Sequence, residues 1–123
     1  MQAMTILMID DDRRVLDLLK RFLYEEKYSI ITAENGMQGV EAARRHAPKV
    51  IFCDIMMPEL DGFGVLQALQ SDITTSKIPF FFLTSKIQPE DRQLGIEAGA
   101  TGYLAKPTSR NQLLEALREC SLI

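Results

Sequence analysis

The apolar pattern of this chain changes period repeatedly, from continuous runs of strand length to stripes at helical spacing. Met4 to Ile9 is apolar almost without a break, as a strand buried on both faces requires. From Asp12 the period turns helical, with Val15, Leu18, Leu19, Phe22 and Leu23 at i, i+3, i+4, i+7 and i+8. Asp12 stands where an N-cap carboxylate would accept from the first-turn N–H groups. Tyr28 to Ala33 reads as a second strand, and Asn35-Gly36 as a turn that opens a helix running to about His46. Val50 to Asp54 follows as a third strand. Pro58 and Gly62 bracket a loop before a helical stripe of Phe63, Leu66 and Leu69. Pro79 to Thr84 is a fourth strand. Pro89 fits the first turn of a fourth helix that Gly99 would end. Gly102 to Lys106 and Asn111 to Cys120 complete the series as strand and helix.

Five strand–helix alternations in 123 residues, with no linker or repeat, predict one α/β domain with a parallel sheet covered by helices on both faces. Ligands of such sheets bind beyond the carboxyl ends of the strands. The residues there are Asp10, Asp11 and Asp12 after the first strand, Asp54 after the third, Thr84 after the fourth and Lys106 after the fifth. A formal net charge of −3 leaves no basic footprint, so no nucleic-acid binding is expected of this domain alone. Cys53 and Cys120 form no framework spacing and suit a reducing compartment. No apolar stretch approaches the ~20 residues of a membrane span, and no charged-then-apolar signal opens the chain. A soluble, cytoplasmic protein with no membrane association is the expectation.

Carboxylates gathered at one sheet edge repel each other unless a cation joins them. A hard divalent cation such as Mg²⁺ takes carboxylate, carbonyl and water oxygens. If Asp10, Asp11 and Asp54 are all ionised, Mg²⁺ and Lys106 together would neutralise them. Such a site suits phosphoryl transfer, which depends on positioning and charge neutralisation more than on covalent help. Simpler roles stand beside these. Asp12 reads as a helix cap, and Asp61-Gly62 as a turn and helix start. On the residues alone Thr84 fits a strand end as well as a phosphoryl ligand. Lys106 equally fits a snorkelling lysine. His46 has no partner cluster and reads as a surface helix residue. Phe80, Phe81 and Phe82 read as core, and Met56 and Met57 as loop and core packing.

Over essentially its full length, residues 1–123, the chain resembles a receiver domain of bacterial two-component response regulators, of the chemotaxis-regulator kind. The resemblance rests on Ile9-Asp10-Asp11-Asp12, on Asp54-Ile55-Met56-Met57-Pro58-Glu59-Leu60-Asp61-Gly62, on Leu83-Thr84-Ser85, on Gly99-Ala100 and on Tyr103-Leu104-Ala105-Lys106-Pro107. It implies a flavodoxin-like (βα)5 three-layer sandwich with strand order 2-1-3-4-5. It implies that Asp54 accepts a phosphoryl group from a sensor histidine kinase or phosphotransfer protein. Mg²⁺ would be held by Asp11, Asp54 and the Met56 backbone carbonyl, with Asp10 acting through a water. Thr84 and Lys106 would bind the phosphoryl oxygens. Tyr103 would turn with Thr84, altering the face of fourth helix, fifth strand and fifth helix for an unknown effector. Lys106-Pro107 resembles the family's cis peptide. The implied role is a signalling switch, not an enzyme, although it promotes its own phosphotransfer and dephosphorylation.

The chain departs from one subclass of the family. Receivers of winged-helix transcription factors usually carry an acidic pair before the fifth-strand aromatic, Lys-Pro-Phe after it, and an arginine in the fifth helix. Here those positions hold Thr101-Gly102, Lys106-Pro107-Thr108 and Ala116, and Arg118 does not obviously replace the arginine. A monomer or weak dimer is therefore expected. Receivers that lose phosphate quickly often have an amide or acid two residues after the acceptor or two after the Thr. Met56 and Lys86 occupy these places, so a long-lived phosphorylated state is expected. Both a free-standing receiver and one domain of a longer regulator fit the sequence. An aspartyl-phosphate phosphohydrolase on a similar sheet is the alternative enzyme class. Its nucleophile, however, would sit in an Asp-x-Asp after the first strand, where this chain has contiguous aspartates. A receiver-like scaffold that no longer takes phosphate is the third class, and the intact Asp10, Asp11, Asp54, Thr84 and Lys106 argue against it.

Overall fold

A computed structural model describes residues 3–25, 27–85 and 88–122, so the Lys86 position lies outside the described residues. The elements are β1 Met4–Ile9, α1 Arg13–Phe22, β2 Tyr28–Ala33, α2 Gly36–His46, β3 Val50–Asp54, α3 Gly62–Gln70, β4 Phe80–Thr84, α4 Pro89–Glu97, β5 Gly102–Ala105 and α5 Arg110–Glu119. The five strands form one sheet in the order β2-β1-β3-β4-β5, and every neighbouring pair is parallel. This is the flavodoxin-like order that the resemblance implied.

The continuous apolar runs are explained by two cores, one on each side of the sheet. Leu7, Ile9, Ile51, Cys53, Phe80 and Phe82 pack with Val40 and Ala43 of α2 and Val65, Leu66 and Leu69 of α3. Their neighbours along the strands, Ile6, Met8, Val50, Phe52, Phe81 and Leu83, pack with Leu16 and Leu19 of α1 and Leu113, Leu114, Ala116 and Leu117 of α5. Because side chains alternate across a strand, a strand covered on both faces must be apolar throughout.

The helix starts follow their capping chemistry. Asp12, Asn35 and Asp61 side chains accept from the N–H groups of Arg14, Gln38 and Gly64 at 2.9, 2.8 and 2.8 Å. Ser109 and Gln112 form a reciprocal capping box at the start of α5. Gly99 ends α4 with φ of 111°, a conformation that costs glycine little.

Several boundaries shift from the expectation. In α1 the buried residues are Leu16 and Leu19, while Leu18 is 42% exposed. Leu18 lies about 200° around the helix from Leu16, on the far edge of the stripe. β4 begins at Phe80 because Pro79 has no N–H and supplies only its carbonyl, to Ile51 N at 2.9 Å. β5 ends at Ala105, one residue early, and α5 covers Arg110–Glu119. No helix among the described residues is long and apolar enough to cross a membrane.

Candidate functional site

Strand register brings the acidic residues together. Ile9 is paired with Cys53, so the residues that follow, Asp10 and Asp54, leave the sheet side by side. Asp54 is paired with Leu83, which sets Thr84 at the same edge, and Thr84 is paired with Ala105, next to Lys106. The Lys106 N–H donates to the Thr84 carbonyl at 2.8 Å, which fixes the base of the lysine against β4. The Lys106–Pro107 peptide is cis.

Lys106 Nζ lies 2.7 Å from Asp10 Oδ2 and 3.2 Å from Asp54 Oδ1, a bridge between the two carboxylates. Asp10 is fully buried and Asp54 nearly so, whereas Asp11 is exposed. The other Asp10 oxygen, Oδ1, accepts from the Asp12 N–H at 2.9 Å, so the residue that caps α1 also orients Asp10. Asp10 Oδ2, also buried, is met by the Lys106 ammonium. Burial pushes the Asp54 carboxyl above its ordinary pKa, and the Asp10 charge adds to the effect, while Lys106 opposes both. For Lys106, burial works against the ammonium, but Asp10 and Asp54 together outweigh it and hold the pKa above its ordinary value. Burial also raises the Cys53 thiol, with the Asp54 charge second, so this cysteine is a core residue beside the site.

Carboxylate oxygens of Asp10, Asp11 and Asp54 lie within 4.8 Å of one another, close enough to share one cation. This all-oxygen donor set of carboxylates fits a hard divalent ion.

Gly62 fixes the approach of α3 to the acceptor. A Cβ there would stand 2.4 Å from the Asp54 carbonyl oxygen and 2.9 Å from Ile55 Cα. The Gly62 N–H donates to the Ile55 carbonyl at 2.8 Å. Met56 is 78% exposed beside the site, and Met57 is buried. Tyr103 stands away from the acidic edge, its ring on Phe82 with centroids 5.1 Å apart. His46 is on the surface, and Phe80, Phe81 and Phe82 are core.

Residues 6–118 match the response regulator receiver domain. The chain belongs to that family. It is 38% identical over 112 residues to the protein PilH of Pseudomonas aeruginosa, a match covering 91% of this chain and 93% of that protein. It is also 38% identical over 115 residues to the response regulator MprA of Mycobacterium leprae, covering 94% of this chain but 50% of that protein. The chain thus spans about half the length of several curated relatives it matches. Among solved structures, chemotaxis protein CheY4 of Vibrio cholerae superposes on this receiver domain with a TM-score of 0.89 at 29% identity, over 96% of this chain and 98% of that one. The receiver domain of the sensor histidine kinase PA1611 from Pseudomonas aeruginosa gives 0.86 at 26% identity, over 97% and 98%. That protein carries a magnesium ion coordinated in its active-site cleft.

The edge residues of this receiver were legible in the sequence because each ends or directly follows a strand. Less visible was the Asp10 link to the Asp12 N–H, which needs the turn geometry between them. Gly95, inside α4, was also passed over. Its signal was a glycine in mid-helix, where alanine is ordinarily the more stable residue.

Proposed function

We propose that residues 1–123 form one receiver domain that works as a phosphorylation-dependent switch, with Asp54 as the phosphoacceptor. The observation that carries this reading is Lys106 bridging Asp10 and Asp54 at an edge where three carboxylates can share a cation. The donor would be a phosphohistidine of a sensor kinase or phosphotransfer protein. An Asp54 carboxylate oxygen forms the new P–O bond while the P–N bond of the donor breaks, and its electron pair stays on the imidazole nitrogen. A carboxylate oxygen acts as nucleophile wherever an acyl phosphate is the product.

Mg²⁺ would be held by Asp11, Asp54 and the Met56 backbone carbonyl, with Asp10 acting through a water. When bound it would supply charge neutralisation between the acceptor carboxylate and the phosphoryl oxygens. Lys106 is free to shift from Asp54 to a phosphoryl oxygen while keeping its contact with Asp10. Thr84 would take a second phosphoryl oxygen. The movement of Thr84 would then be felt by Tyr103 through the face formed by α4, β5 and α5, where an effector binds. Such a change is a shift between existing states, limited by the difference in interaction energy.

The direct test is intact-protein mass spectrometry after incubation with acetyl phosphate and Mg²⁺. One phosphoryl group should add to the wild type and none after chelation. Asp54→Asn should abolish the mass increase, and Asp11→Ala should lose metal binding and most labelling. Normal labelling of Asp54→Asn would overturn the assignment.

A further inference from the structure

α4 buries a single residue against the sheet. Gly95 is its only buried residue, while its apolar residues Leu94 and Ile96 are 58% and 44% exposed. A Cβ on Gly95 would stand 1.9 Å from Tyr103 Oη and 2.9 Å from both Tyr103 Cζ and Phe82 Cε2. Contacts that short require either the tyrosine side chain or α4 itself to move. The space that a side chain would need is filled by Tyr103. Its hydroxyl donates to the Asp91 carbonyl in the first turn of α4 at 2.8 Å. Its ring lies on Phe82 at 31° with centroids 5.1 Å apart, and the Arg92 guanidinium sits 5.7 Å from the ring centre. Helix propensity alone disfavours glycine here. The notch therefore offsets an intrinsic cost of this residue.

We propose that Gly95 is the positioning residue of the switch, its missing side chain forming the seat that docks Tyr103 between α4 and Phe82. The inference rests on the Tyr103 coupling proposed above. With the seat open, Tyr103 has a defined position tied to α4 by one hydrogen bond, and a signal from β4 can be read as its retention or release. A methyl group at position 95 closes the seat in every state. The ring must then turn away, or α4 must lift from the sheet, and the α4–β5–α5 face loses one of its two arrangements.

The test is Gly95→Ala alone and combined with Tyr103→Ala, in the 123-residue chain. In unphosphorylated Gly95→Ala, the NMR signals of the Tyr103 and Phe82 rings should move and α4 amides should exchange faster. In the Tyr103→Ala background the same substitution should cost much less, in α4 exchange and in thermal midpoint, because the 1.9 Å contact is gone and only Phe82 Cε2 at 2.9 Å still opposes the gain in helix propensity. Gly95→Ala should still take phosphate on Asp54 from acetyl phosphate and Mg²⁺, but its Tyr103 signals should no longer respond. If Gly95→Ala does not fold alone, folding of the double variant supports the seat, and failure of both overturns it. Unmoved Tyr103 signals in unphosphorylated Gly95→Ala, or an effect of equal size in both backgrounds, also overturn it. Wild-type Tyr103 signals that ignore phosphorylation would instead overturn the coupling, leaving the seat as a packing feature only.

Discussion

At the scale of single residues, the site is a compromise between burial and charge. Lys106 is the cation holding two buried carboxylates together, so Lys106→Ala leaves Asp10 and Asp54 facing each other without it. Removing one partner from a buried ionic group costs about 3–5 kcal/mol, and the partial exposure of Lys106 places the expected loss at or below the lower end of that range. Urea denaturation without divalent ions measures it. Mg²⁺ should stabilise the wild type by about 2.7 kcal/mol at a hundredfold excess over its dissociation constant. That gain should vanish in Asp11→Ala, and an equal gain in both proteins would remove Asp11 from the metal site. Met56 sets a further expectation. Its thioether is only a weak acceptor and cannot orient an attacking water as a carboxamide can. Met56→Asn, at a position 78% exposed, should therefore lose phosphate faster than wild type. Phosphate release followed over time checks this, and an unchanged rate would mean that Met56 does not shield the approach.

At the scale of elements, the two helices flanking β5 differ in how firmly they are held. α5 has a reciprocal capping box and buries Leu113, Leu114, Ala116 and Leu117. α4 starts at Gln88 without a side-chain cap and buries only Gly95. Few buried contacts mean a low local opening free energy, so α4 amides should exchange well before those of α5. Equal protection in hydrogen-exchange experiments would contradict this and weaken α4 as the moving part. The same contrast explains what could be read from the sequence. α5 and α3 announce their buried faces through leucines at helical spacing. α4 has no apolar stripe, so Pro89 and Gly99 mark its ends while only the mid-helix Gly95 marks its inner face. In α1 four of the five residues of the expected stripe, Val15, Leu19, Phe22 and Leu23, face the core, and only packing decides that Leu16 goes in and Leu18 out. The site was legible through Asp10, Asp11, Asp54, Thr84 and Lys106 because strand ends are fixed by sheet topology. The close approaches at Gly62 and Gly95 were not, since they depend on which backbone or ring lies opposite.

At the scale of the whole molecule, the question is whether the α4–β5–α5 face pairs with a second copy. Three positions on or beneath it carry no charge. Thr101 is committed to its own sheet, its hydroxyl accepting from the Phe80 N–H at 3.1 Å and its N–H donating to the Phe80 carbonyl at 2.7 Å. Gly102 has no side chain, and Ala116 is turned into the core, 2% exposed. The nearest charges on α5 are partly used within the chain, where Glu115 pairs with Arg118 at 3.0 Å. What remains is a shallow cavity of about 330 Å³ bordered by Arg92, Ile96, Gln112 and Glu119. Ion pairs at an interface rim give register and selectivity more than affinity. Without them a dimer would depend largely on apolar residues such as Leu94, Ile96 and Leu104. Phosphorylation should therefore leave the chain monomeric or only weakly dimeric. Sedimentation velocity with and without acetyl phosphate and Mg²⁺ measures this directly, with Asp54→Asn as the control that separates phosphorylation from added salt. A tight dimer that forms only when Asp54 is phosphorylated would show that apolar contact suffices here, and would assign this face to self-association.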